Sequence, residues 1–230
     1  MVSPPDTRGT RWTAILGAAR GNVADRETFV QRYRQVVRDY LRARWKRSPL
    51  RVDIEDAVQE VFLECFKEGG VLSRVEMDRP GGFRAFLYGV MRTVALGFER
   101  KLARDRIRQP AGSWHWSEVP ADDEGLSTVF DRAWAVNLLK EAAQLQAERA
   151  GDAGEEARRR VELLRLRFTD GRPIREIARL WGVDPAHLHH EYAKARLEFR
   201  SALFEVVSFH HPGSPGEVQR ECVRLLDYLA

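Results

Sequence analysis

The stretch IREIARLWGVDPAHLHHEYAKARLEF, Ile174 to Phe199, decides how this chain is read. Ile174, Ile177 and Ala178 recur at helical spacing and form the inner face of a short helix. Gly182 permits a turn and Val183 plugs it. Asp184-Pro185 then supplies an N-cap followed by proline at the first helical position. Leu188, Tyr192, Ala195 and Phe199 face inward on a second helix. This punctuation reads either as a DNA-binding helix-turn-helix or as a helical hairpin in a bundle. At 100° per residue the outward face of the second helix carries Ala186, His190 and Lys194, with His187 beside them. Such a face suits a major groove.

Outward from this unit, apolar residues recur at helical spacing almost everywhere, and no alternating run suggests a sheet. The chain reads as all-α. Toward the N-terminus, a short helix from about Trp12 to Arg20 precedes a longer one from about Asp25 to Trp45, striped by Phe29, Tyr33, Val36, Val37, Tyr40 and Leu41. Ser48-Pro49 breaks it, and Asp53 reads as the N-cap of a third helix that buries Ile54, Ala57, Val58, Val61, Phe62 and Cys65 and ends at Gly69-Gly70. A fourth helix places Phe83, Phe86, Leu87, Val90, Met91, Val94 and Phe98 on one face and runs into Arg100, Lys101, Arg104, Arg106 and Arg108. Periodicity stops over 109–127, where Pro110, Gly112, Pro120, Asp122, Asp123 and Glu124 give linker composition. Helices follow from about Thr128 to Ala150 and Glu155 to Phe168, before the turn Thr169-Asp170-Gly171. The expected organisation is two small helical domains, 12–108 and 128–207, joined by an acidic flexible linker and followed by a C-terminal extension, 208–230. In that extension Ser214-Pro215-Gly216-Glu217 has capping-box spacing, and Val218, Cys222, Leu225, Leu226 and Leu229 form a stripe. The last helix either packs on the second domain or covers a binding face.

The 230 residues carry 38 basic and 34 acidic side chains, a net +4. That total argues weakly for nucleic acid, but its distribution says more. Residues 1–110 hold +8, 111–154 hold −5, 155–207 hold +2 and 208–230 hold −1. Two cysteines, Cys65 and Cys222, offer neither a disulfide framework nor paired zinc spacing. Five of the six histidines, His187, His189, His190, His210 and His211, lack cysteine or carboxylate partners at ligand spacing, so no metal or other cofactor is expected. No apolar run reaches the roughly 20 residues of a membrane span, and the N-terminus lacks a signal-like stretch. A cytoplasmic setting fits. No cluster of nucleophile and base suggests an enzyme.

On the third helix, Leu63 lies opposite the buried arc among Asp56, Gln59, Glu60 and Lys67. It reads as a docking face for a basic partner or as an isolated surface leucine.

Together these segments resemble the bacterial RNA polymerase sigma factors of the sigma-70 family, extracytoplasmic-function group. DIEDAVQEVFLECF, Asp53 to Phe66, resembles their region 2.2; FRAFLYGVMRTVALGFERK, Phe83 to Lys101, resembles regions 2.3 and 2.4; VELLRLRFTDGRPIREIARLWGV, Val161 to Val183, with the helix after it resembles region 4. The resemblance covers about residues 25–107 and 128–207, in order. It implies a non-catalytic subunit that binds core RNA polymerase through Asp56, Gln59, Glu60 and Leu63. It implies capture of the melted minus-10 element of promoter DNA by Arg84, Tyr88, Arg92, Thr93, Arg100, Lys101 and Arg104, with Tyr88 reading either as a base-stacking ring or as an ordinary half-buried tyrosine. It assigns the minus-35 element to Ala186, His187, His190 and Lys194. The 68–82 loop corresponds to the family's base-holding specificity loop. The linker, with Trp114 and Trp116, reads as a spacer or as an acidic imitation of phosphates inside the polymerase. An anti-sigma factor, phosphorylation or the C-terminal helix would each be a means of holding such a factor inactive.

The chain departs from the family in two places. Arg92-Thr93 stands where the family usually has Arg-Asn, and His189-His190-Glu191 where Lys-Ser-Arg is common. The recognition helix is therefore nearly neutral. A helix-turn-helix regulator whose first domain senses a ligand or dimerises is the competing reading.

Overall fold

Caps and apolar stripes divide the chain into helices, and the computed structural model describes them over residues 14–75, 82–108, 123–211 and 213–228. The order is α1 (14–19), α2 (Val23–Arg44), a 3₁₀ turn (Pro49–Asp53), α3 (Ile54–Phe66), a second 3₁₀ turn (Val71–Arg74), α4 (Gly82–Arg108), α5 (Asp123–Ala153), α6 (Glu155–Phe168), α7 (Ile174–Trp181), α8 (Pro185–His210) and α9 (Pro215–Asp227). Among the described residues there is no strand, and the fold is all-α. The 68–82 loop beyond Val75, most of the linker with Trp114 and Trp116, the side chains of Arg106, Arg108 and Leu226, and Leu229 lie outside the described residues.

Local chemistry accounts for most boundaries. Asn22 caps α2 by accepting the Asp25 N–H at 3.1 Å, and the Ser48 hydroxyl accepts the Leu50 N–H at 3.2 Å to start the first 3₁₀ turn. That turn corrects one expectation, because Asp53 does not cap α3 with its side chain. The 3₁₀ turn runs directly into Ile54, which is already helical, so the first amides of α3 are turned into a preceding helix rather than left open. The fifth helix begins at Asp123 rather than near Thr128. Leu126 in its first turns is buried in the core. Gly154, at φ 101°, breaks α5 from α6 in a conformation that favours glycine. Ser214 and Glu217 form the expected capping box of α9: Glu217 accepts from the Ser214 N–H at 2.7 Å and hydroxyl at 2.8 Å.

Packing follows a different partition from the helices. A small core at one end joins Leu163, Leu166, Ile174, Ile177, Ala178 and Leu188 across α6, α7 and α8. The main core starts at Ile15, takes in the inner faces of α2, α3 and α4, and continues without a break into α5, α8 and α9. Leu126, Phe130, Trp134 and Leu138 of α5, Leu203 and Val207 of α8, and Val218, Cys222 and Leu225 of α9 all belong to it. Trp134 is only 2% exposed and stacks on Tyr33 of α2, with ring planes 4° apart at 5.9 Å. Burying one such indole stabilises the α2–α5 contact by about 3–5 kcal/mol as judged by truncation. The C-terminal helix packs on α8 and α5, one of the two readings offered for it, and Tyr228 just beyond it reaches across to Arg84 of α4.

Candidate nucleic-acid interface

The helix boundaries of α7 and α8 follow the punctuation of the sequence. Gly182, at φ 63°, ends α7, and its N–H donates to the Ala178 and Arg179 carbonyls. The Asp184 carboxylate accepts the His187 N–H at 2.9 Å, and Pro185 opens α8. Leu188 and Ala195 are buried, Tyr192 and Phe199 are half-buried, and Ala186, His187, His190 and Lys194 are all exposed together on the outward face. Lys194 is partly neutralised there. Glu191 accepts from it at 2.8 Å and from Arg160 at 3.2 Å, and these two cations hold the Glu191 carboxyl below its ordinary range. Two cations not singled out in the sequence, Arg175 and Arg179, stand exposed on α7. Their exposure follows from the spacing of IREIARLW, whose buried face is Ile174, Ile177 and Ala178.

Residues expected to meet melted DNA divide into two groups along α4. Arg92, Thr93, Arg100, Lys101 and Arg104 are exposed, with the Thr93 hydroxyl donating back to the Gly89 carbonyl at 2.9 Å. Arg84 and Tyr88 are not at the open surface. Arg84 donates to Asp131 of α5 at 2.6 Å and to the Tyr228 hydroxyl just beyond α9 at 3.0 Å. Its guanidinium also lies over the Tyr228 ring at 5.5 Å. Tyr88 is half-buried, its ring 5.2 Å from Phe130 and 5.7 Å from Tyr40. Burial raises the Asp131 carboxyl above its ordinary range, and Arg84 only partly offsets that. The pair therefore locates α5 on α4 more than it stabilises the contact, as expected of a desolvated ion pair.

The α3 surface has the exposure a docking face needs. Asp56 and Gln59 are exposed, Glu60 is half-buried, and Leu63 is 61% exposed. Among the described residues no cation pairs with Asp56 or Glu60. Their neighbour Glu55 is different. Arg38 grips it at 2.7 and 2.8 Å and Arg34 at 3.1 Å, holding its carboxyl down at about 2. The histidines do not gather into one site, because His190 and His210 lie 20 residues apart on one helix, about 30 Å.

Among the described residues no helix is long and apolar enough to cross a membrane. Comparison with protein-family models, with curated proteins and with solved structures found no match.

Proposed function

We propose that this protein is a sigma-type subunit of RNA polymerase: a non-catalytic factor that joins the core enzyme in the cytoplasm and directs it to promoter DNA. The observation that supports this most is the pairing of two exposed faces on one helical chain. One is the α3 surface of Asp56, Gln59, Glu60 and Leu63; the other is the helix-turn-helix face of Ala186, His187, His190 and Lys194. In this reading α3 docks on the core enzyme, α8 reads the minus-35 element, and the exposed cations of α4 hold the minus-10 strand. Arg84 and Tyr88 join that strand only after α5 and α9 move aside. Purified protein added to core enzyme should copurify with it and start run-off transcription from a subset of genomic fragments. Absence of both association and initiation would end this reading.

One observation favours a second reading. The continuous core from α2 to α9 makes the helix-turn-helix an appendage of a single bundle, which suits a stand-alone regulator with a sensing or dimerising body. An electrophoretic shift separates the two: a regulator retards duplex DNA alone, a sigma-type factor chiefly with core enzyme present.

A further inference from the structure

The cationic surplus of the first half of the chain collects at one pole of the bundle, where α2 ends and α3 begins. An open cleft of about 560 Å³ there is lined by Arg42, Lys46, Arg47, Arg51, Val52 and Glu55. All four cations are exposed, and Val52 beside them is 87% exposed. The single carboxylate in the lining, Glu55, is already occupied by Arg34 and Arg38 and does not neutralise them; outside the lining Asp39 lies 3.9 Å from Arg42. A helix C-terminus explains some of this charge through its dipole. It does not explain all of it, because Arg47 and Arg51 lie beyond α2 and Arg44 in the last turn is taken up by Glu99.

That same Arg44 pairing extends the pole. Arg44 donates to Glu99 of α4 at 2.7 and 3.0 Å, the Trp45 indole N–H donates to Glu99 at 2.9 Å, and the Trp45 ring lies 5.7 Å from Phe98. These contacts fix the end of α2 against residues 98 and 99, immediately before the exposed Arg100, Lys101 and Arg104. Seven exposed cations, from α2, the turn after it, the 3₁₀ turn and α4, are thereby held at one end of the bundle.

We propose that this pole, centred on the Arg42–Arg51 cleft, is a binding track for the phosphodiester backbone of duplex DNA. Exposed cations are individually screened and hold a single small anion poorly, whereas a polyanion releases several counterions at once and gains from each. The track rests on the reading that the protein handles DNA. It adds a contact that neither the helix-turn-helix nor the covered Arg84 provides, and it is accessible with α5 and α9 in place.

The test is fluorescence anisotropy of the full chain with a 30-base-pair duplex of arbitrary sequence between 50 and 200 mM NaCl. Lys46→Glu with Arg47→Glu is compared with a charge-matched control on α5, Arg132→Glu with Lys140→Glu. Two lost phosphate contacts should lower the slope of log K against log salt by about 1.8 and weaken binding about tenfold or more at low salt. The control should change the slope by less than half as much. Lys46→Gln with Arg47→Gln should give a smaller loss in the same direction, and circular dichroism melts should match wild type for all three. Equal effects in test and control would reduce the pole to net charge and overturn the proposal, as would no measurable duplex affinity at 50 mM NaCl. So would an unchanged slope accompanied by weaker core-polymerase binding, which would assign the pole to a protein surface. Backbone binding without promoter-dependent initiation would sink the polymerase reading and leave this one standing.

Discussion

Acidification should loosen the docking of α8 on α2, α4 and α5, and the group responsible is His210. Its side chain is 4% exposed and packs against the rings of Trp134 at 5.0 Å, Tyr33 at 5.7 Å and Phe83 at 6.4 Å. Nδ1 lies 3.2 Å from the Tyr33 hydroxyl, while Nε2 has no hydrogen-bond partner among the described residues. The charged groups facing it are Glu141 of α5, 4.0 Å from Nε2, and Arg32 of α2, which holds Glu141 at 3.2 Å. Burial pushes the imidazole pKa down; Glu141 opposes this, and Arg32 adds to it. The detached imidazole titrates near 6.5 and the docked one lower, so the docked state binds fewer protons. Its stability is therefore complete above about 6.5 and declines as the pH falls from there toward the depressed value. Between pH 7.5 and 5.5 the loss is at most about 1.4 kcal/mol, the limit for a docked ring that stays neutral throughout. Urea unfolding of wild type and His210→Gln at pH 7.5, 6.5 and 5.5 measures it as a difference in slope, whatever the absolute stability of the variant. The paired carboxylates Glu55, Glu162 and Glu191 have lowered pKa values, so their contribution is lost only at more acid pH. Parallel pH profiles in the two proteins would refute the assignment to His210.

Gln59→Ala with Leu63→Ala should weaken core-polymerase binding at least tenfold in a pull-down titration while moving stability by no more than about 0.5 kcal/mol, since both side chains are exposed. Asp131→Asn with Tyr228→Phe should remove the charge-assisted grip on Arg84 and cost the cover about 1 kcal/mol, seen as faster hydrogen exchange in α9 with α2 and α3 unchanged. Gly182→Ala places a side chain at φ 63° and should cost about 1–2 kcal/mol, detected as faster hydrogen exchange in α7. Burial pushes the Cys65 thiol up to about 12 and Cys222 up to about 11. Neither should react with a thiol reagent at pH 8 until the protein unfolds; prompt labelling of Cys65 would show that α3 is not packed as described.

The helical stripes were legible because each is a local repeat: the buried faces of α2, α3 and α4 contain the residues that spacing selects, and Gly182, Asp184 and Pro185 punctuate α7 and α8 as read. The exposure of Leu63 and of the α8 face was legible for the same reason. What spacing does not carry is the partner of each stripe. Phe130, Trp134 and Leu138 form an ordinary inner face in sequence, and nothing local says that they meet Tyr33 and Tyr88, some 40 to 100 residues earlier. Arg84 likewise carries no local mark of burial; Asp131 and Tyr228 come to it from 47 and 144 positions away. His210 looked like one of a histidine pair near the chain end, and its burial follows from that same long-range closure.

The closure also orders events on the polymerase reading. The α3 face, the outward face of α8 and the basic pole are all open while α5 and α9 cover Arg84 and Tyr88, so docking on core enzyme and backbone contact need no rearrangement. Contact of Arg84 and Tyr88 with a base does need one. The apparent affinity of any ligand that requires them is reduced by the fraction of molecules in which the cover is displaced. A partner raises that fraction only by binding the displaced form more tightly, and tight binding to α3 alone, equal in both forms, shifts nothing. The polymerase would therefore have to touch α5 or α9 as well as α3, or the melted strand itself would have to supply the difference. Comparing the effect of the Asp131→Asn, Tyr228→Phe pair on core binding and on open-complex formation separates these. Tighter core binding points to the first, and faster opening with core affinity unchanged points to the second.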